Sequence, residues 1–209
     1  MIAASSLLNE SSCRAFLQHQ QQRIHAPNLK VTASMMMKKY AQVLPPQVLD
    51  PLIFEKRGKA IPISAVHLSE DLKFVTDESL IFETESVSDS WNSLFADHLT
   101  LVLMAFNSTT NLHLPILWEN VAVRLNSYLR KMIERYPEHN ERIIEVAEEL
   151  QSLSGDCFKW NTHPMRPYLT PSAILTEQHK RQTCCYFHKL DKEKEMTHCL
   201  VCPLKSSCK

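Results

Sequence analysis

The chemistry of this chain gathers at its C-terminal end. Cys184-Cys185 is followed by thirteen residues and then Cys199-Leu-Val-Cys202-Pro203, so four of the seven cysteines fall within nineteen residues. Thiolates are the ligands that soft transition-metal centres select, and four of them suit a tetrahedral zinc ion or a binuclear iron–sulfur centre. A Cys-x-x-Cys pair can turn both sulfurs toward one ion, and a zinc ribbon uses two such pairs. Here a vicinal pair replaces one of them. Neighbouring side chains in a strand point to opposite faces, so Cys184 and Cys185 can both ligate only on a twisted backbone or on different atoms. That departure weighs toward a binuclear centre over zinc; free thiols or a redox-active vicinal disulfide are the remaining readings. Cys208 is a spare thiol or a substitute ligand. Cys13 and Cys157 read as ordinary half-buried cysteines. His188 and His198 flank the cluster and read as surface or supporting residues, since four cysteines already suffice.

The elements that must position these sulfurs are mostly helical. Apolar positions recur at helical spacing over 11–24, 31–43, 90–106 and 116–135, and 138–153 is rich in Glu and Ile. The spacing predicts that Pro45-Pro46 stops the second helix and that 46–57 forms a short separate one. Met35, Met36 and Met37 read as flexible core filling. Pro115 stands at the start of the helix over 116–135, Pro137 ends it, and Gly155 reads as the residue just past the end of the helix over 138–153. Between Lys59 and Glu85, Ile61, Ile63, Ala65 and His67 alternate, and 72–75 and 80–83 are short and β-prone. Pro62 places the first of these at an edge. The expected fold is mainly α (α+β): a helical domain over 1–175 with a small antiparallel sheet around 59–85, and a cysteine-rich segment over 176–209. Residues 156–171 form an irregular connector.

Composition narrows the function classes. Lys plus Arg equal Asp plus Glu at 23 each, which gives no global pull toward nucleic acid. Two glycines in 209 residues argue against a phosphate-cradling loop and so against a nucleotide site. The first ten residues lack a basic stretch and a long apolar run, and the longest apolar run, 99–106, is far short of the ~20 residues of a membrane helix. A cytoplasmic protein is expected. In a reducing compartment clustered cysteines bind metal or do redox chemistry more often than they form disulfides.

Arg181-Gln-Thr-Cys184-Cys185-Tyr186-Phe187 with Cys199-Leu-Val-Cys202-Pro203-Leu204 resembles the C-terminal motif of the FhuF-like ferric-siderophore reductases, a basic residue and vicinal cysteines with a terminal Cys-x-x-Cys-Pro. Leu117-Trp118-Glu119-Asn120 is weakly similar to a Leu-Trp-x-Asn stretch of that family. The family usually spaces its cysteine pairs by about ten residues, and the excess here matches the hydrophilic run 191–195, a thermodynamically minor insertion.

The resemblance implies a [2Fe-2S] cluster on Cys184, Cys185, Cys199 and Cys202 and an iron–sulfur oxidoreductase that reduces siderophore-bound Fe(III) to Fe(II). It further implies a separate electron donor and peripheral contact with the inner membrane. The alternatives are a zinc-stabilised, non-catalytic binding protein and a protein of siderophore biosynthesis, the latter disfavoured by the glycine scarcity. Lys180 and Arg181 are expected either beside the sulfurs or on a solvated edge. Trp118 reads as core and Asn120 as helix surface, or both line a cleft. Trp160, His163, Arg166 and Tyr168 are candidates to contact a siderophore, with packing of the connector as the plainer account.

Overall fold

Polar side-chain caps start the first three helices. The structure, a computed structural model, describes residues 1–69, 73–190 and 198–205. Helix α1 spans Glu10–Arg23, and the Asn9 side chain before it accepts from the Ser12 N–H at 3.1 Å. Helix α2 spans Leu29–Asp50 and is capped by Asn28, which accepts from the Val31 N–H at 3.1 Å. Helix α3 (Val87–Leu94) is capped by Ser86, and a π-helical turn, Phe95–Leu99, carries it into α4 (Thr100–Thr110). Helix α5 spans Leu114–Arg135 and α6 spans Asn140–Ser152. The protein is mainly helical with small antiparallel sheets.

Three departures from the sequence expectation have physical causes. Pro45 and Pro46 lie inside α2, which then runs through a π-helical turn at Pro51–Glu55. The expected stop and the separate helix over 46–57 are therefore one continuous element. Burial explains it: Leu44, Pro45, Val48, Leu49 and Leu52 are all buried, and that packing outweighs the lost backbone donors. The β-prone region is more broken than the alternation suggested. Strands β2 (Lys59–Ala60), β3 (Val66–Leu68), β4 (Phe74–Thr76) and β5 (Phe82–Glu83) are short, and Ile63–Ala65 is a 3-10 turn after Pro62. The N-terminal β1 (Ile2–Ala3) pairs with β3, which pairs with β4; β2 pairs with β5 in a second sheet. Leu72 lies outside the described residues. Gly155 opens a 3-10 turn and has no positive φ, so it is not a left-handed helix end. It is needed for space: a Cβ there would stand 2.3 Å from the Trp160 carbonyl oxygen.

The core lies between α2, α4 and α5. Met36, Met37 and Leu44 of α2, Val102, Leu103 and Phe106 of α4, and Leu117, Val121 and Leu125 of α5 belong to one buried cluster. Met35 is only partly buried and packs against both this core and the cysteine cluster. The connector is ordered by packing. Phe158 and Met165 are fully buried in the core, and Trp118 meets Phe158 edge-on at 5.6 Å.

The π-helical turn directs His98 into this core, where its Nδ1 stands 2.9 Å from the Ile61 carbonyl and its Nε2 2.6 Å from the Tyr40 hydroxyl. A carbonyl only accepts, so Nδ1 carries the proton and Nε2 accepts from Tyr40. Burial pushes the His98 pKa down from 6.5 to about 4. As pH falls the unfolded chain takes up this proton first. The stability due to neutral His98 is therefore complete above pH 6.5 and lost between there and about pH 4. The loss should approach about 3 kcal/mol. Equilibrium unfolding of wild type and His98→Gln from pH 8 to 4 checks it. Wild type should lose more stability over that range, and parallel curves would contradict the assignment.

Candidate metal centre and its cleft

The tail reaches the helices after an exposed stretch. Leu175 belongs to the core, residues 176–180 are all exposed, and Arg181 is buried again at 4% exposure. Arg181 is held by two adjacent side chains of α5. Its NH2 group lies 3.2 Å from Glu119 Oε2, and its NH1 group donates to Asn120 Oδ1 at 2.7 Å. Glu119 also accepts from the Gln182 N–H at 2.6 Å, from the Thr183 N–H at 2.9 Å and from the Thr183 hydroxyl. One buried carboxylate thus fixes the three residues before the vicinal cysteines, with every contact charge-assisted. The Arg181 N–H donates to the Val201 carbonyl at 2.9 Å and ties the two halves of the cysteine motif together.

Helix α2 supplies the other support. Ser34 and Lys38 stand four residues apart on one face. Ser34 Oγ donates to the Cys185 carbonyl at 2.8 Å, and Lys38 Nζ lies 3.5 Å from Cys185 Sγ and 5.0 Å from the centre of the Phe187 ring. Asn120 Nδ2 donates to both the carbonyl and the hydroxyl of Ser34, each at 3.0 Å, which links the α2 and α5 supports.

Cys185, Cys199 and Cys202 form a buried cluster of their own. The Sγ atoms of Cys185 and Cys199 are 3.6 Å apart. Two thiolates on one tetrahedral ion at 2.3 Å stand about 3.8 Å apart, so this pair has ligand spacing. Cys184 is half-buried; its sulfur lies 3.5 Å from His188 Nδ1 and accepts from the Tyr186 N–H at 3.4 Å. Tyr186, directly after the pair, adopts a left-handed conformation (φ 62°). No strand carries the vicinal pair; this turn frees its sulfurs from the alternation of a strand. Among the described residues no group of three or more His, Cys, Asp and Glu side chains is arranged to hold one ion. One thiol pair, Cys185 and Cys199, stands at ligand spacing with Cys202 in the same buried cluster, and this donor chemistry fits a thiolate-ligated centre. Cys208 and the run 191–195 lie outside the described residues.

The surroundings favour negative charge on one sulfur of this neighbourhood. The hydrogen bond with Cys199 is the largest cause of a lowered Cys185 pKa, and Lys38 and Arg181 add to it against the cost of burial. Cys199 is raised in turn, because its proton is held on the Cys185 sulfur and it is itself buried. Burial raises Cys184. The thiolate is the ligating form, so Cys185 is the sulfur readiest to bind.

A cleft of about 530 Å³ opens beside the thiols. Lys38 of α2, Arg124, Ser127 and Arg130 of α5, Tyr168–Pro171 of the connector and Phe187 and Cys199 of the tail line it.

The other candidates divide. Arg181 is buried with its guanidinium on Glu119 and Asn120 of α5, whereas Lys180 is exposed and donates to the Lys205 carbonyl at 3.2 Å. Trp118 is core; Asn120 is fully buried and corrects its placement on the helix surface. Tyr168 lines the cleft. Trp160 packs against Trp118, His163 bridges the Leu150 carbonyl and the Met165 N–H, and Arg166 bonds the Gln151 and Leu153 carbonyls. These three hold the connector together. His188 and His198 stack at 5.7 Å beside Cys184. Cys13 and Cys157 are buried away from the cluster, Cys13 with its sulfur 3.8 Å from the Ala105 carbonyl. Sequence reasoning missed Glu119, Ser34 and Lys38. The one available signal was a carboxylate beside Trp118 on an otherwise core-facing turn.

No protein-family model matches the chain, and no curated protein matches it. The likeness to the FhuF-like reductases rests on the motif residues themselves. No helix among the described residues is long and apolar enough to cross a membrane.

Proposed function

We propose that this protein is a ferric-siderophore reductase of the FhuF-like kind, with a [2Fe-2S] cluster held by Cys184, Cys185, Cys199 and Cys202. One observation carries the reading: a buried set of thiols, with Lys38 beside Cys185, stands at an open cleft that Cys199 itself lines. Bound there, such a cluster supplies one electron at a time, the number that converts Fe(III) to Fe(II). The hard oxygen donors of a siderophore hold Fe(II) far less tightly than Fe(III), so reduction releases the metal.

The chain's own groups have distinct parts in this. Glu119 and Asn120 position the segment before Cys184 through Arg181, Gln182 and Thr183. Lys38 offsets thiolate charge at Cys185, and the Tyr186 N–H does so at Cys184, which stabilises the more negative reduced state. Tyr168, Leu169, Phe187 and Leu200 give the cleft an apolar wall against which the body of a chelate packs and excludes water. The electron comes from a separate donor, consistent with two glycines in the whole chain and no phosphate-cradling loop. The place of work is the cytoplasm, with peripheral contact at the inner membrane where siderophores enter. Zero formal charge supports no nucleic-acid partner.

The 3.6 Å spacing of Cys185 and Cys199 suits a single tetrahedral zinc ion as well, which keeps a zinc-stabilised binding protein as the second reading. Function separates the two. Dithionite-reduced protein, freed of excess reductant and mixed anaerobically with a ferric tris-hydroxamate, should yield Fe(II) trapped by a chromogenic chelator, in proportion to the protein added. Yields at the level of a protein-free control would contradict the reductase reading.

A further inference from the structure

The cleft beside the thiols has more positive charge than its neighbours use. Lys38, Arg124, Arg130, Lys180 and Arg181 line it against the two carboxylates of Glu119 and Glu177. Most of these charges have tasks. Arg181 is paired with Glu119, Lys38 faces the Cys185 sulfur, Lys180 bonds the Lys205 carbonyl, and Glu177 lies 3.8 Å from His179.

Two arginines differ. Among the described residues Arg130 has only a long contact of 3.9 Å to Glu134, which is mostly exposed. Arg124 Nε is buried and has no hydrogen-bond partner among the described residues. A buried guanidinium N–H without an acceptor is costly, and the acceptor geometry that completes it is that of a planar oxyanion. Arg124 and Arg130 lie on the same side of α5 with Val123 and Ser127, all four lining the cleft. Arg124 lines the same cleft as Cys199.

We infer that the cleft selects anionic ferric chelates, and that a carboxylate on the ligand accepts hydrogen bonds from Arg124 and Arg130 while its body packs on Tyr168, Leu169 and Phe187. The identity of the ligand as an iron chelate rests on the reductase reading; the preference for negative charge rests on the arginines alone. The arrangement brings the chelate in with its anionic arm toward α5 and its metal toward the Cys199 side of the cleft.

Gallium(III) complexes test this without electron transfer, because gallium(III) matches iron(III) in charge and size but is not reduced by such a centre. Two probes suffice: a linear tris-hydroxamate acylated at its amine by succinate, and the same complex with the terminal carboxylate amidated. Calorimetry should find the acid bound about tenfold more tightly than the amide, as one charge-assisted hydrogen bond allows. That gap should shrink as salt is raised and close in Arg124→Gln. Arg130→Gln should narrow it too, which gives a second variant should Arg124→Gln fold poorly by circular dichroism. Equal affinities in wild type, or a gap that survives both substitutions, would overturn the inference. Equally tight binding of the metal-free acid would overturn the assignment of a chelate. A gallium gap with no reduction of the matching ferric complex would sink the reductase reading and leave the anion selectivity standing.

Discussion

Glu119→Ala is expected to destabilise the docking of the C-terminal segment by about 3–5 kcal/mol, the cost of leaving a buried charge without its partner. The carboxylate is 2% exposed and accepts from Arg181, Gln182 and Thr183 at once. Its removal leaves the Arg181 guanidinium buried beside a neutral gap, and two backbone N–H groups lose their acceptor. Glu119→Gln should cost less, since its amide oxygen can still accept from part of the set. Limited digestion with an arginine-specific protease, which leaves the exposed Lys180 uncut, provides a direct reading. Arg181 is buried in the docked segment, so cleavage after it should be slow in wild type and fast in Glu119→Ala, with the 1–175 core left intact. A variant as resistant as wild type would mean that this clamp does not hold the tail.

Cys199→Ser should remove bound iron and the associated visible absorption while leaving helical content near that of wild type. Cys199 touches Cys185 and lines the cleft, so it belongs to the thiol neighbourhood and contributes nothing to the packing between α2, α4 and α5. A serine hydroxyl is a poor ligand for a soft centre. Loss of Fe(II) production should follow the loss of iron. Retained reduction of a ferric chelate would take the cluster out of the mechanism, and global unfolding would point to a metal that stabilises the fold.

The site was legible in the sequence where it is local. Cys184-Cys185 and Cys199-x-x-Cys202 advertise themselves by spacing, and the helices by periodicity. The long-range pairs that build the site could not be read that way. Glu119 meets Arg181 across sixty-two residues, and Lys38 reaches Cys185 across one hundred and forty-seven. The resemblance at Leu117-Trp118-Glu119-Asn120 drew notice to the right turn of α5 but to Trp118 and Asn120, whereas Glu119 carries most of the docking bonds. Local rules failed where tertiary burial opposed them, as at Pro45-Pro46. Strand β1 was hidden because two residues, Ile2 and Ala3, are too few to show an alternation.

The central claim is that these cysteines hold a binuclear iron–sulfur cluster. Its most direct test is metal and acid-labile sulfide analysis of anaerobically purified protein, with a visible spectrum before and after dithionite. The account predicts about two irons and two sulfides per chain, the composition of a four-cysteine [2Fe-2S] centre, and a brown colour that dithionite bleaches. A colourless protein carrying one zinc and no sulfide would contradict it.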